Sequence, residues 1–243
     1  MKKITIFSLV FCAAFAINAK AQSLLPPLET MPLSENAYLS LKSGEDLDGK
    51  ILYMISGRGV SKVALKDQNG IKHVYKASDI SEFGIHSNGL TKLQYLNESS
   101  GSIKALLKTD RSAVKLNDYV VYRNATLKGG KVLLLQLLNP HFDEKIQVYH
   151  AANSRKTTAW RKGPITLTGE MQRVYLVSKE GAPTIKVKKG SYKKSFRRLF
   201  EDCEQMKSIQ KPKFNDFGKH IFHYTEICNQ DSQYYIENKG INP

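Results

Sequence analysis

Long apolar stretches are nearly absent from this chain. The one substantial uncharged run, Ile4 to Ile17, covers about 14 residues, short of the ~20 that a helix needs to cross a bilayer. No later stretch comes closer, which leaves the rest of the chain soluble or peripherally bound. Catalytic and cofactor signatures are missing too. There is no Gly-x-Ser-x-Gly, no phosphate-cradling glycine loop and no Cys-x-x-Cys. No nucleophile, cofactor or metal ribbon is therefore indicated, and a non-enzymatic role is the expectation. Cysteine is scarce, at 3 in 243 residues, and acidic residues are the minority charge, 22 against 37 Lys and Arg.

What is present begins with an export signal. Lys2 and Lys3 form a positive start, the apolar run follows, and Ala19-x-Ala21 supplies the small residues that signal peptidase accepts. Residues 1–21 are expected to be removed, with the cut before Gln22. An uncleaved anchor is the alternative, and the run is short for it. Lipoprotein processing at Cys12 is opposed by the bulky Phe11 beside it. Cleavage removes Lys2, Lys3 and Lys20 and no acid, so 222 of the 243 residues remain, with 34 basic against 22 acidic and a net charge of +12. Such a charge attracts polyanions at long range. In the periplasm, at the outer membrane or in the medium these are lipid phosphates or acidic polysaccharides, with nucleic acid an unlikely partner. An envelope protein is another possible partner, and simple solubility another use of the charge. Only Cys203 and Cys228 survive cleavage. An oxidising compartment suggests that they form one disulfide; a pair of buried free thiols is the alternative.

The expected fold class is α+β, a β-rich body with a C-terminal two-helix segment. Gln22 to Pro32 is an extended Pro- and Leu-rich leader, opening a segment 22–98 that reads as a β-meander, an SH3-like barrel or a sandwich. Its strands fall near Tyr38–Lys42, Asp48–Ser56, Ser61–Lys66, Ile71–Tyr75 and Ile80–Ile85. Asn69-Gly70 is a strong hairpin signal, because both residues tolerate positive φ. Asn88-Gly89 suggests a second such turn before a strand at Thr91–Asn97. Ser99 to Ser102 marks a boundary, and 103–188 is a second β-rich segment. In it, Val132 to Leu138 reads as a strand buried on both faces, and Asn153 to Gly163 as a polar loop.

From Ser191 the period changes to helical. Tyr192, Phe196, Leu199, Phe200, Cys203 and Met206 form one stripe, with Ser191 as N-cap. After Pro212 a second stripe holds Phe217, Ile221, Tyr224 and Cys228. The helical pair spans 191–230. A tight hairpin hinged near Lys211 would put Cys203 opposite His220, about 12 Å of helix rise from Cys228, so a disulfide needs crossed packing or a long linker.

The helical residues Tyr192, Ser195, Phe196, Phe200, Asp202 and Cys203, with Phe214, Phe217, His220, Ile221, Tyr224 and Cys228, resemble an uncharacterised family of secreted Bacteroidetes proteins. Gly129-Gly130-Lys131 and Tyr175-Leu176-Val177 are similar as well. The likeness covers the C-terminal half. It implies bacterial origin and export, favours the Cys203–Cys228 pairing, and carries no catalytic residue.

The leading site candidate is the basic run Lys186, Lys188, Lys189, Lys193, Lys194, Arg197 and Arg198, interleaved with Tyr192 and Phe196. It suits an anionic partner, or is a solvated helix face. His220 and His223 are a weak metal candidate without the spacing of a zinc-protease motif. Trp160 is a possible exposed aromatic or a core plug. Asp46 with Asp48, and Asp143 with Glu144, read as turn residues. Asn97 and Asn124 fit glycosylation sequons of little weight in bacteria. The rival class is a hydrolase with its site at the junction of β-body and helices.

Overall fold

The structure is a computed structural model. It describes residues 24–28, 36–89, 91, 118–152, 156–157, 160–162, 165–168 and 171–239. The expected export signal of residues 1–21, the expected strand after Thr91 with Asn97, and the Ser99–Ser102 boundary lie outside these. No described helix is long and apolar enough to cross a membrane.

Strands β1 (Asn36–Leu41), β2 (Asp46–Ser56), β3 (Val60–Asp67), β4 (Lys72–Lys76) and β5 (Ile80–His86) form the meander. The β3–β4 hairpin turns at Asn69-Gly70, where Gly70 takes φ +82°, as the turn chemistry requires. Alternation places Ala37, Leu39 and Leu41 of β1 inside. β5 returns beside β1, not β4. β6 (Tyr119–Thr126) pairs with β5, and β7 (Val132–Gln136) pairs with β6 and reaches β3 at Val60 and Leu134. The β2–β3 pairing then closes a six-strand barrel, and β4 lies outside it on β3. Strands from both sides of Ser99–Ser102 thus share one barrel, around a core that includes Leu39, Val63, Leu65, Phe83 and Leu134.

Asn88-Gly89 does not make a hairpin. Asn88 Oδ1 accepts the Thr91 backbone N–H at 2.9 Å and its hydroxyl at 3.0 Å, and residues 89 and 91 are helical. An Asn side chain serves a helix N-terminus as readily as a turn, which is why the dipeptide misleads.

Beyond the barrel, β8 (Ile146–His150) leads into a ribbon of short strands. These are β9 (Lys156–Thr157), β10 (Trp160–Lys162), β11 (Ile165–Thr168) and β12 (Met171–Gln172); β9 pairs with β12 and β10 with β11. The segment expected as a loop therefore holds two strands, because a backbone ladder can form without an apolar alternation to announce it. β13 (Val174–Lys179) and β14 (Ile185–Lys188) complete a sheet ordered β14-β13-β8. Both faces of β8 and β13 are used. Ile146, Val148, Tyr175 and Val177 pack with the helices, while Tyr149 and Leu176 meet Leu133, Leu135 and Leu137 on the barrel's outside. This explains the unbroken apolar run of β7, since Leu134 fills the barrel and its neighbours fill the layer beyond.

The helices are α1 (Tyr192–Leu199), α2 (Glu204–Lys207) and α3 (Phe217–Lys239), with 3-10 turns at Lys189–Ser191 and Phe214–Asp216. Two expectations change here. Ser191 makes no side-chain cap. The first stripe is not one helix either: Phe200 leaves helical geometry, and Cys203 is extended at φ −125°, ψ 111°. Lys179 Nζ donates to the Leu199 carbonyl at 2.9 Å, satisfying an end that the helix leaves open. The break resolves the offset between the cysteines. Released from the helix, Cys203 meets Cys228 with Cα atoms 6.0 Å apart, and the two are disulfide-bonded.

The segment 24–28 belongs to no helix or strand and is tied down. Leu25 N–H donates to the Leu138 carbonyl at 2.7 Å and Leu28 N–H to Gln136 Oε1 at 2.9 Å. Leu24 packs against the helical core and Leu28 lies in the barrel core.

Candidate anion-binding groove

α1 has one apolar stripe, Tyr192, Phe196 and Leu199, and that stripe is buried. The helix must then present its cations to solvent. Lys193, Lys194, Arg197 and Arg198 are all exposed. They pair at i, i+4 spacing with like charge, an arrangement that opposes the helix by a few tenths of a kcal/mol per pair. Among the described residues these four make no ion pair. Lys189 enters from the 3-10 turn. Across from α1 the Pro212–Asn215 segment supplies Lys213. Between the two runs a groove of about 1060 Å³, with Glu201 as its acidic lining residue.

Five of the seven expected cations thus share a cavity. Lys186 and Lys188 do not join them. They sit on β14 opposite in alternation to Val187, which is buried against the helices, so they project from the other face of an edge strand. Lysines there discourage pairing with another chain. Lys213 was not legible in sequence, because it follows Pro212 and belongs to a different run.

Tyr192 ties α1 to α3 beneath the groove. Its hydroxyl pairs with His220 Nδ1 at 2.6 Å, and its ring stacks on the imidazole at 5.9 Å. Burial pushes the Tyr192 hydroxyl pKa up, and the Asp216 charge adds to this. Burial pulls the His220 pKa down; Asp216 opposes this, while His223 and Lys219 reinforce it. The unfolded chain therefore takes up a proton on His220 more readily than the folded one. Stability is expected to fall as pH drops below about 6.5, the ordinary histidine value. An NMR titration should place the His220 midpoint below 6.5, and a midpoint above that value would contradict the buried contact.

The two histidines do not converge. His220 is half-buried against Tyr192 and Phe196, His223 is exposed, and Cys228 is held in the disulfide. The i, i+3 spacing leaves them in separate surroundings. Among the described residues no three His, Cys, Asp or Glu side chains gather as metal ligands would.

Two polar networks brace this architecture. Asp202 accepts Lys179 Nζ at 2.6 Å and the Tyr224 hydroxyl at 2.7 Å. Partial burial raises its pKa, but the Lys179 and Tyr224 hydrogen bonds outweigh that and hold it below the usual carboxylate range. The second network corrects the turn assignment of Asp143. That carboxylate is buried and ion-paired with Arg123 Nη1. Arg123 also donates to Glu82 Oε2 from Nε at 3.0 Å and from Nη2 at 2.7 Å, while Tyr38 donates to Glu82 Oε1 at 2.7 Å. The Tyr38 ring lies over Gly84, where any Cβ would strike it. Asn124 uses its amide on the Ala77 and Ile80 carbonyls, at 2.6 and 3.1 Å, which makes it a poor glycan acceptor. Trp160 is placed on β10, and its side chain lies outside what is described.

Fold and groove together define an α+β protein with a closed barrel, a helix-covered sheet and a cationic groove on the helical layer. No protein-family model matches the chain, and no curated protein or solved structure matches it either.

Proposed function

We propose that this is an exported, non-enzymatic interaction protein of a bacterial envelope or its surroundings, which holds an anionic partner in the α1 groove. The observation that carries this is the convergence of Lys189, Lys193, Lys194, Arg197, Arg198 and Lys213 around one cavity. Among the described residues four of these cations make no ion pair, so a phosphate- or carboxylate-bearing ligand would relieve their mutual repulsion. Export is supported by the N-terminal Lys2-Lys3, apolar run and Ala19-x-Ala21 pattern, and by the Cys203–Cys228 bond, which suits an oxidising compartment. The resemblance of the helical pair to secreted Bacteroidetes proteins agrees with that address. The junction of β-body and helices that a hydrolase would use is filled with Ile146, Val148, Tyr175, Val177, Phe196 and Phe217, which weighs toward binding.

Heparin serves as the probe polyanion. Reversing Lys194, Arg197 and Arg198 to Glu is expected to weaken retention by roughly tenfold or more, with an unchanged circular dichroism spectrum. Equal retention of the folded variant would remove the groove from the function.

A further inference from the structure

The barrel carries a second surface that the groove does not account for. β2, β3 and β4 present one outer face, and the register sorts it into three rows. Lys50, Lys66 and Lys72 lie opposite one another in the first, and Tyr53, Ala64 and Val74 in the second. Ile55, Lys62 and Lys76 form the third. A bulge between Ile51 and Tyr53 adds Leu52 to the middle. Lys72 Nζ lies 5.1 Å from the centroid of the Tyr53 ring, which confirms the shared face.

Two features of this face are costly for a free barrel. Tyr53, Ile55, Leu52 and Val74 are 42–49% exposed, and Ile71 in the adjoining turn is 57% exposed. Lysines also stand directly opposite lysines, at Lys62–Lys76 and Lys66–Lys72, although like charges across a ladder destabilise it. Edge protection explains lysines on β4, which ends the sheet. It does not explain Lys62 and Lys66, which lie on β3 between β2 and β4. Nor does it explain an apolar row between the two rows of charge.

We propose that the β2–β3–β4 face docks on an anionic lipid bilayer, with Tyr53, Ile55 and Val74 entering the headgroup boundary and the flanking lysines meeting lipid phosphates. The face is an open sheet surface and not a groove, and none of its nine register positions carries a carboxylate. That one-signed chemistry, with an apolar row between cationic rows, is complementary to a surface that is negative throughout and apolar just beneath, which an anionic bilayer supplies. Tyrosine and lysine also suit a water–lipid boundary, each with an apolar body and a polar end. The surface is separate from the α1 groove and does not rest on it.

The test is cosedimentation of the full chain with vesicles of phosphatidylcholine containing phosphatidylglycerol, compared with phosphatidylcholine alone. The wild type should bind the charged vesicles and not the neutral ones. Lys62→Gln with Lys76→Gln should weaken binding about twenty-five-fold, from roughly fivefold per lysine. Ile55→Ser with Val74→Ser should weaken it roughly tenfold. Both pairs should keep wild-type heparin retention. The groove variant K194E/R197E/R198E should keep most of its vesicle binding. Vesicle binding lost only in the groove variant would overturn the proposal and leave the groove intact. Equal binding to neutral vesicles would overturn it as well. So would self-association in sedimentation equilibrium that disappears in the Ile55/Val74 variant, because a second copy would then cover the face.

Discussion

Replacing Arg123 with Ala is expected to lower the unfolding free energy by about 3 kcal/mol, read from the denaturant midpoint at unchanged m value. One guanidinium serves Glu82 and Asp143 together, and Asp143 is only 8% exposed. Removing the cation leaves a desolvated carboxylate without its ion-pair partner, which costs more than the pair was worth. The contact also joins β5 and β6 of the barrel to the chain that leads into β8, so its loss loosens the seam between the layers. The control is the pair Arg123→Met with Asp143→Leu, which removes both charges and should recover part of the loss. A single-variant loss below about 1 kcal/mol would mean that solvent already compensates these charges.

Removing the disulfide is the second large effect. Cys203→Ala with Cys228→Ala should cost about 3 kcal/mol, the chain-entropy value for a loop of this length, where the bonded residues are 25 apart. For a chain of this size that is a fall in melting temperature of roughly 10 °C. Wild-type protein in reductant should melt like the variant, and the variant should ignore reductant. A reductant effect on the variant would place the sensitivity elsewhere. The bond holds α3 to the turn after α1, while Tyr192 and His220 hold the same helices beneath the groove, so the groove should survive reduction better than global stability does.

The strands of the meander were legible because burial on one face imposes a period of two, as β1 shows with Ala37, Leu39 and Leu41. The buried run of β7 was legible as well, and its reason is now visible in the two layers it separates. Barrel closure was not. It depends on β5 choosing β1 and β7 reaching β3, and pairing partners leave no local trace. The break after Leu199 was hidden for a related reason. Phe200, Cys203 and Met206 continue a helical stripe, yet Phe200 and Cys203 are buried from a turn, Met206 from the separate helix α2, and Lys179 takes the carbonyl at the end of α1. Asp143 looked like a turn residue because its partner Arg123 stands 20 positions away.

For the basic surface, the local sequence determined that α1 would bury Tyr192, Phe196 and Leu199 and expose Lys193, Lys194, Arg197 and Arg198, since 3.6 residues per turn separates the two sets. It determined the excess of positive charge and the strand-forming pattern of the body. The tertiary structure decided which charges act together. It placed Lys213 across the groove, sent Lys186 and Lys188 to another face, and aligned the lysines of β2, β3 and β4 around an apolar row. Helix periodicity is a property of neighbours along the chain. Strand register and groove walls are set by long-range packing, and there the sequence has no short-range rule to follow.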